Sequence, residues 1–355
     1  MELFIDFLDS LPVYNENVNC YVWGTGNTAQ LYQNSFYAEN IKIKGYIDNN
    51  CDKWGGVINN IKIYSPKILS NFTDNDLVLI CSPTPSVYDE ISVQLTELEI
   101  NFCHVDSYIF GLHKKELLEV YNSLYDNESR NVYFEILKCR VKANYPDDSL
   151  VCLREKNFAL NPFLVPNASE VFVDVGAYTG ESAERYLWTH EGICKRIISF
   201  EPDFNNFNAV QYRFQRLSKE WKLSTEQLYV LNVAVGEKNE SRFFCSSNMG
   251  LGSSIVKSKE STSNLKEIKT VSLDSFFETE KNLFIKADIE SYEPFLLNGA
   301  KRIIGEYKPK LAICIYHNAT DYWNIPLLVK KLNRQYKMSI RHHSATFAET
   351  VLYAW

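Results

Sequence analysis

Val171–Tyr186 reads VFVDVGAYTGESAERY, and the reading of this stretch decides the fold. A β-branched apolar run ends in an acid, enters a glycine loop and opens into a helix-forming segment. That is the sequence form of a strand, a ligand-binding turn and a helix N-terminus. Gly176 and Gly180 let the backbone turn tightly and approach a ligand. Asp174, placed at the strand end, would repel a dinucleotide pyrophosphate. S-adenosylmethionine (SAM) has no phosphate and carries an ammonium and a sulfonium, so the acid suits SAM better than NAD. An ordinary βα turn of a doubly wound sheet is the plain alternative.

The 355-residue chain is too long for one ordinary core, so two domains are expected. A net charge of −7, from 44 acids against 37 bases, is not the footprint of a nucleic-acid binder. Nine scattered cysteines without a CxxC pair read as reduced thiols and as neither a disulfide framework nor a zinc site. MELFIDFLDSLPVYN has acids interspersed and no basic region ahead of an apolar run, and no segment reaches membrane-spanning length. A cytoplasmic location is expected.

Upstream, Cys20–Trp23 runs into Gly24-Thr25-Gly26-Asn27-Thr28-Ala29, a G-x-G-x-x-A turn opening a helix over Ala29–Ala38. The next apolar run, Ile41–Ile47, ends in Asp48, about 24 residues past Gly24 and near the spacing of a ribose-binding acid. Further strands at Ile61–Tyr64, Leu77–Cys81 and Phe102–Val105, with a helix over Ser86–Leu98, imply a parallel sheet. Residues 1–110 thus read as a Rossmann-like domain in which Gly24, Gly26, Asn27 and Asp48 are candidates for a nucleotide. With Asp48-Asn49 ending its second strand, it resembles the nucleotide-sugar-binding domains attached to bacterial sugar-modifying enzymes. An empty scaffold that mediates dimerisation fits as well. Residues 111–165 read as a helical connector, with a first helix from Gly111 and a second capped by Asp126 or Asn127.

Residues 166–355 carry the chemistry. Arg196–Phe200 ends in Glu201-Pro202-Asp203, with Glu201 about 27 residues past Asp174, one βα unit on. A carboxylate there suits both hydroxyls of an adenosine ribose. Tyr229–Val235 reads as the third strand, with Asn232 and Ala234 beside an adenine. Gly250-Leu251-Gly252-Ser253-Ser254 is a hydroxyl-rich loop of the kind that contacts substrates. Asn282–Asp288 is a strand followed by a charged end, Lys286-Ala287-Asp288-Ile289-Glu290, and such charges cost free energy unless paired or functional. Ser291 is expected to cap the next helix. Lys310–Tyr316 ends in His317, Pro326–Tyr336 reads as a helix, and Lys337–His342 with Thr350–Trp355 reads as a closing antiparallel hairpin.

In order, D-V-G-A-Y-T-G (174–180), S-F-E-P-D (199–203), N-V-A-V-G (232–236), G-L-G-S-S (250–254), V-S-L-D-S-F, K-A-D-I-E (286–290), N-G-A (298–300) and I-Y-H (315–317) resemble the FkbM family of SAM-dependent methyltransferases. Where the family usually has glycine after the motif's glutamate, this chain has Ser291. The resemblance implies a class I methyltransferase sheet of seven strands with a C-terminal antiparallel hairpin. The fold class is therefore α/β, two Rossmann-like domains joined by a helical connector. The family mostly methylates hydroxyls of sugars and natural products.

The expected cofactor is SAM, held by Asp174, Gly176, Ala177, Tyr178, Thr179, Gly180, Glu201, Asn232, Ala234 and Asp288. Asp288, Glu290 and His317 meet at adjacent strand ends as catalytic candidates, and His317, with an ordinary pKa near 6.5, suits a general base. It reads equally as a hydrogen-bonded strand-end histidine. Gly252, Ser253, Ser254, Lys286 and Tyr316 are substrate candidates, although Lys286 also reads as the partner of a nearby acid. No two-histidine pattern suggests a metal, so none is expected. The expected activity is O-methylation of a sugar hydroxyl on a nucleotide sugar or glycan precursor, with a nucleotide sugar as a possible partner of the first domain. Two rivals stand: a nucleotide-sugar-binding scaffold with a lapsed methyltransferase domain, and an NAD-dependent sugar oxidoreductase.

Overall fold

The computed structural model describes residues 1–14, 17–82, 84–245, 254–256 and 265–355. The strand Val171–Val175 is buried at every position, which is why four of its five residues are apolar and the pattern does not alternate. It lies in a seven-stranded sheet whose order is Met338–His342, Thr350–Ala354, Lys310–Cys314, Leu283–Ala287, Val171–Val175, Arg196–Phe200, Leu228–Leu231. All neighbours are parallel except the closing hairpin, which pairs antiparallel with itself and with Lys310–Cys314. The order reverses between Leu283–Ala287 and Val171–Val175, and open sheets bind ligands at the strand ends beside such a switch.

The N-terminal sheet has six strands, in the order Val57–Ile58, Ile61–Tyr64, Ile43–Ile47, Asn19–Trp23, Asp76–Ile80, Phe102–His104. Four helices lead onward: Val105–Leu112, Lys114–Ser123, Asn127–Val141 and, after a long irregular segment, the second sheet's Glu181–Thr189. The helix expected from Gly111 begins at Val105 instead. Val105, Ile109 and Phe110 are wholly buried, so apolar burial carries the helix back to the strand end. Asp126 caps the following helix, its side chain accepting from the Ser129 amide at 2.7 Å.

One apolar cluster runs from the N-terminal helix Glu2–Ser10 through the connector helices to one face of the large sheet. Phe4 stacks on Tyr121 at 4.1 Å inside it. A second cluster, with Phe158, Phe163, Phe172, Tyr186 and Phe284, fills the opposite face. The irregular segment after the connector helices supplies Phe158 and Phe163 to that cluster and is thereby fixed to the sheet.

Several local expectations are corrected. Tyr229–Val235 is two strands in different sheets, and Ala234–Val235 joins a small four-stranded sheet with Leu265–Val271, Glu240–Cys245 and Ser254–Val256. Ser291 does not cap a helix. Glu290 and Ser291 both take positive φ, +53° and +77°, and the helix Glu293–Asn298 starts after Tyr292. The family glycine missing at 291 thus marks a left-handed position occupied here by serine. The helix expected from Pro326 runs over Asp321–Leu332 with Pro326 inside it. Pro326 is the sixth helical residue and buried, so apolar packing outweighs the missing amide.

Candidate active site

The candidate site is a cavity of about 450 Å³ at the carboxyl edge of the large sheet. Of the sequence candidates, Gly176, Tyr178, Glu201, Ala234, Lys286, Asp288, Glu290 and Tyr316 line it. The turn is built by backbone approach. A Cβ on Gly176, at φ +77°, would stand 2.0 Å from the Asp288 carbonyl oxygen. Past the paired strands, the turn after D-V can therefore close onto the Asp288 backbone only because residue 176 is glycine. The same logic links N-V-A-V-G to N-G-A, since a Cβ on Gly299 would meet the Gly236 carbonyl oxygen at 2.0 Å.

Asp174 and Lys286 are direct cross-strand partners. Their side chains form a buried ion pair at 3.0 Å, and the Lys286 ammonium also donates to the Gly176 carbonyl at 2.7 Å. Burial raises the Asp174 carboxyl above its ordinary value, with Lys286 opposing. Burial works against the Lys286 charge too, but Asp174 and Asp288 outweigh it and raise its pKa. Asp174 is 0% exposed and does not line the cavity, which corrects its reading as a ligand-facing acid. Its carboxylate anchors Lys286, and Lys286 holds the glycine turn. Lys286, 3% exposed, is likewise engaged by protein groups and is not a free substrate contact.

Glu201 faces the cavity with each carboxylate oxygen fixed by one amide, Oε2 by Tyr178 at 2.8 Å and Oε1 by Asp203 at 2.9 Å. Burial pushes its pKa up to about 7, against those two hydrogen bonds. Asn232 donates to the carbonyls of Glu201 and Pro202, at 2.9 and 3.0 Å, and so braces the Glu201 turn and does not line the cavity. Ala177 is core, Thr179 bonds Glu181 at 2.8 Å, and Gly180, at φ +85°, starts the helix. These three stand behind the wall.

Asp288 is the hub of the other wall. Lys156 donates to its Oδ2 at 2.9 Å, the Tyr316 hydroxyl donates to Oδ1 at 3.2 Å, and His317 Nε2 lies 3.2 Å from Oδ1. Burial opposes ionisation of Asp288, but Lys156 and His317 outweigh it and hold the carboxyl well below its usual range. His317 is the main correction. Its Nδ1 lies 3.1 Å from Glu293 Oε1, so carboxylates face both ring nitrogens. Burial opposes its charge, yet Glu293 and Asp288 raise its pKa well above the ordinary value. An imidazolium cannot accept a proton, and His317 does not line the cavity. A metal would reach only one of the ring nitrogens, whereas the two carboxylates face opposite ones, which suits a proton at each.

Lys156 and Glu349 also line the cavity and were not singled out from sequence. Lys156 sits in an irregular segment without periodicity, and no motif marks it. Gly252 and Ser253 lie outside the described residues. Ser254 begins a strand, and its side chain lies outside the description.

In the N-terminal sheet, Gly24 takes φ +112° at the turn, Gly26 precedes the helix Asn27–Ala38, and the side chain of Asn27 lies outside the description. Asp48 is fully engaged within the protein. Oδ2 accepts from Thr25 and from Lys53, the latter at 2.9 Å, and Oδ1 accepts from the Asn50 amide at 2.9 Å. Burial raises the Asp48 pKa, but these contacts lower it overall. The carboxylate expected to meet a ribose is thus already held by three contacts within the protein.

Comparison with known families agrees with this geometry. Residues 174–343 match the family described as the methyltransferase FkbM domain. That stretch is similar to the FkbM methyltransferase domain. Residues 16–105 match the family described as C2185-like, N-terminal. A solved methyltransferase FkbM from Methylobacillus flagellatus KT is similar over 100% of this chain and 98% of that one, at 19% identity and a TM-score of 0.57. At that identity the likeness shows the fold. An rRNA methylase from Streptococcus thermophilus (13% identity, 53% of this chain, 87% of that chain, TM-score 0.32) and a SAM-dependent methyltransferase from Aquifex aeolicus (11%, 53%, 84%, 0.30) are too distant to carry an argument. No curated protein matches the chain.

The protein is thus a methyltransferase whose cofactor is SAM. The cavity of the FkbM domain fits that group. Gly176 leaves room where a Cβ would not, and Glu201 presents a buried carboxylate to the cavity, held in place by the Tyr178 and Asp203 amides. Among the described residues no helix is long and apolar enough to cross a membrane.

Proposed function

We propose that this methyltransferase acts on a hydroxyl of a sugar, carried on a nucleotide or a glycan precursor. The observation that carries the reading is Asp288, an ionised carboxylate on the cavity wall, fixed by Lys156 and Tyr316 and backed by the His317 imidazolium. SAM supplies an electrophilic methyl group. Glu201 would accept the ribose hydroxyls, the Gly176–Tyr178 turn would approach the methionine end, and Ala234 would flank the adenine.

Asp288 accepts a hydrogen bond from the acceptor hydroxyl and orients its oxygen. A carboxylate with a depressed pKa is a weak base toward a neutral alcohol. It is strong enough toward an oxygen that has gained a methyl group and become a protonated ether, so the proton passes to Asp288 as or after the bond forms. No neutral histidine is needed. Lys286 and Asp174 hold the turn, and Glu290 stands at the cavity edge. The engaged state of Asp48 weighs against the NAD oxidoreductase reading, which needs a ribose-binding acid in the first domain.

The test is a panel of nucleotide sugars with methyl-labelled SAM and the full chain. A product one methyl group heavier and stable to mild alkali supports an ether. An alkali-labile product indicates a carboxyl acceptor and overturns the hydroxyl reading, as does an absence of labelled product across neutral sugars.

A further inference from the structure

Lys156 and Glu349 lie outside the 174–343 match, yet both form the wall of the FkbM cavity. Lys156 Nζ sits between two carboxylates, 2.9 Å from Asp288 Oδ2 and in ion contact with Glu349 Oε2. The lysine is not a mobile surface side chain. Its own side chain is 17% exposed and lies 6.0 Å from the Tyr316 ring centre. The next residue, Asn157, takes φ +72° and donates its amide to the Tyr353 hydroxyl at 3.0 Å, and Phe158 and Ala159 are buried behind it. The turn that delivers Lys156 is thus bolted to the closing hairpin of the sheet. Glu349 stands at the start of that hairpin's last strand, at φ +71°.

We propose that Lys156 is a positioning residue for methyl transfer, fixing the Asp288 carboxylate toward the acceptor while Glu349 holds Lys156 from the other side. This rests on the reading of Asp288 as the group that orients the acceptor hydroxyl. It also narrows the acceptor class. Lys156 and His317 face Asp288, Glu349, Glu293 and Glu290, two cations against four carboxylates, so this wall keeps a net negative charge, which repels an acceptor carboxylate or phosphate next to the reacting oxygen. A neutral hydroxyl is admitted, and the ammonium, which has three donors, has one left for an acceptor oxygen.

The charged and titratable groups around Asp288 are Lys156, His317, Lys286, Tyr316 and Cys314, with Glu349 and His343 beside Lys156 and Glu293 and Glu290 beside His317. Burial works against the Lys156 charge, but Asp288 and Glu349 raise its pKa above the ordinary value, so it stays an ammonium at neutral pH. Burial also disfavours the Asp288 charge, and Lys156 is the largest influence opposing burial. Removing Lys156 therefore leaves a carboxylate that His317 and Lys286 support only in part.

The experiment uses the full chain with carboxyl-labelled aspartate, the Asp288 signal being assigned by its loss in Asp288→Asn. In the wild type that signal stays ionised between about pH 5 and 8. In Lys156→Met it titrates to a higher midpoint, and in Lys156→Arg it keeps the wild-type response. Where Lys156→Met fails to fold by circular dichroism, Lys156→Gln, which keeps a polar tip, replaces it. On any sugar acceptor found in the screen, the same uncharged variant loses on the order of 100-fold in kcat/KM, with its acid limb moved to higher pH. An Asp288 signal that titrates as in wild type without the Lys156 charge overturns the proposal. A failed sugar screen overturns only the acceptor reading, since the carboxyl titration needs no acceptor.

Discussion

His317 Nδ1 lies 3.1 Å from Oε1 of Glu293, a glutamate that is 0% exposed. With Asp288 at the other nitrogen, this contact makes His317 a charged brace between the helix Glu293–Asn298 and the carboxylate of the site. The expected outcome is that both ring nitrogens carry protons from about pH 5 to 8, read from nitrogen-15 shifts of the full chain. The sign of the linkage follows from the raised pKa. The stability His317 contributes is fully present below its unfolded pKa and is lost only as pH rises through the higher folded value. Glu293→Gln should bring that loss to lower pH. A His317 that is neutral at pH 7 would contradict this.

Glu201 also loses stability as pH rises, but in a lower window and because burial favours its neutral form. Burial raises its pKa to about 7, so the folded state holds a proton that the unfolded state has released above its own value of 4.5. Free-protein stability should therefore fall as pH rises from about 4.5 to about 7, by on the order of 3 kcal/mol. Glu201→Gln should remove that slope and be more stable than wild type at pH 8 in chemical denaturation, while losing SAM affinity. A variant that keeps wild-type affinity removes Glu201 from the cofactor site.

Lys286→Met leaves the Asp174 carboxyl buried without its cation. The expected cost is about 3–5 kcal/mol at neutral pH. Because burial already raises the Asp174 pKa, acidification that protonates it should recover part of the loss. Asp174→Asn in the same background should recover it at neutral pH as well. Unfolding curves for the two variants across pH check both statements.

The two glycine turns should respond differently to one methyl group. Gly176→Ala drives a Cβ against the Asp288 carbonyl oxygen and demands φ +77° of alanine, so SAM binding should be lost. Gly26 has nothing within 4 Å of the equivalent position and no positive φ. Gly26→Ala should cost at most about 1 kcal/mol as a helix N-cap change. Thermal melts and calorimetry on both variants distinguish them.

The strands and both glycine turns are legible in the sequence because central strands of a parallel sheet are mostly apolar, and an acid or glycine then marks the neighbourhood where each run stops. Asp174, Glu201 and Asp288 stand out on that ground. Their partners do not. That Lys286 faces Asp174 depends on strand register, which becomes fixed only in the folded sheet. The charged state of His317 depends on Glu293, which belongs to the following helix and carries no motif of its own. Lys156 reaches Asp288 across 132 residues of chain from a segment without periodicity, so only the fold brings them together. The four-stranded sheet is not legible in the sequence because its strands are short or, like Leu265–Val271, rich in charge.

Calorimetric titration of SAM into the full chain, beside Glu201→Gln, tests the account most directly. The expected result is saturable one-site binding by the wild type and a large loss of affinity in the variant. No heat of binding to the wild type at millimolar SAM, or equal affinity in the two proteins, would contradict the placement of SAM in the cavity between Gly176, Glu201 and Asp288.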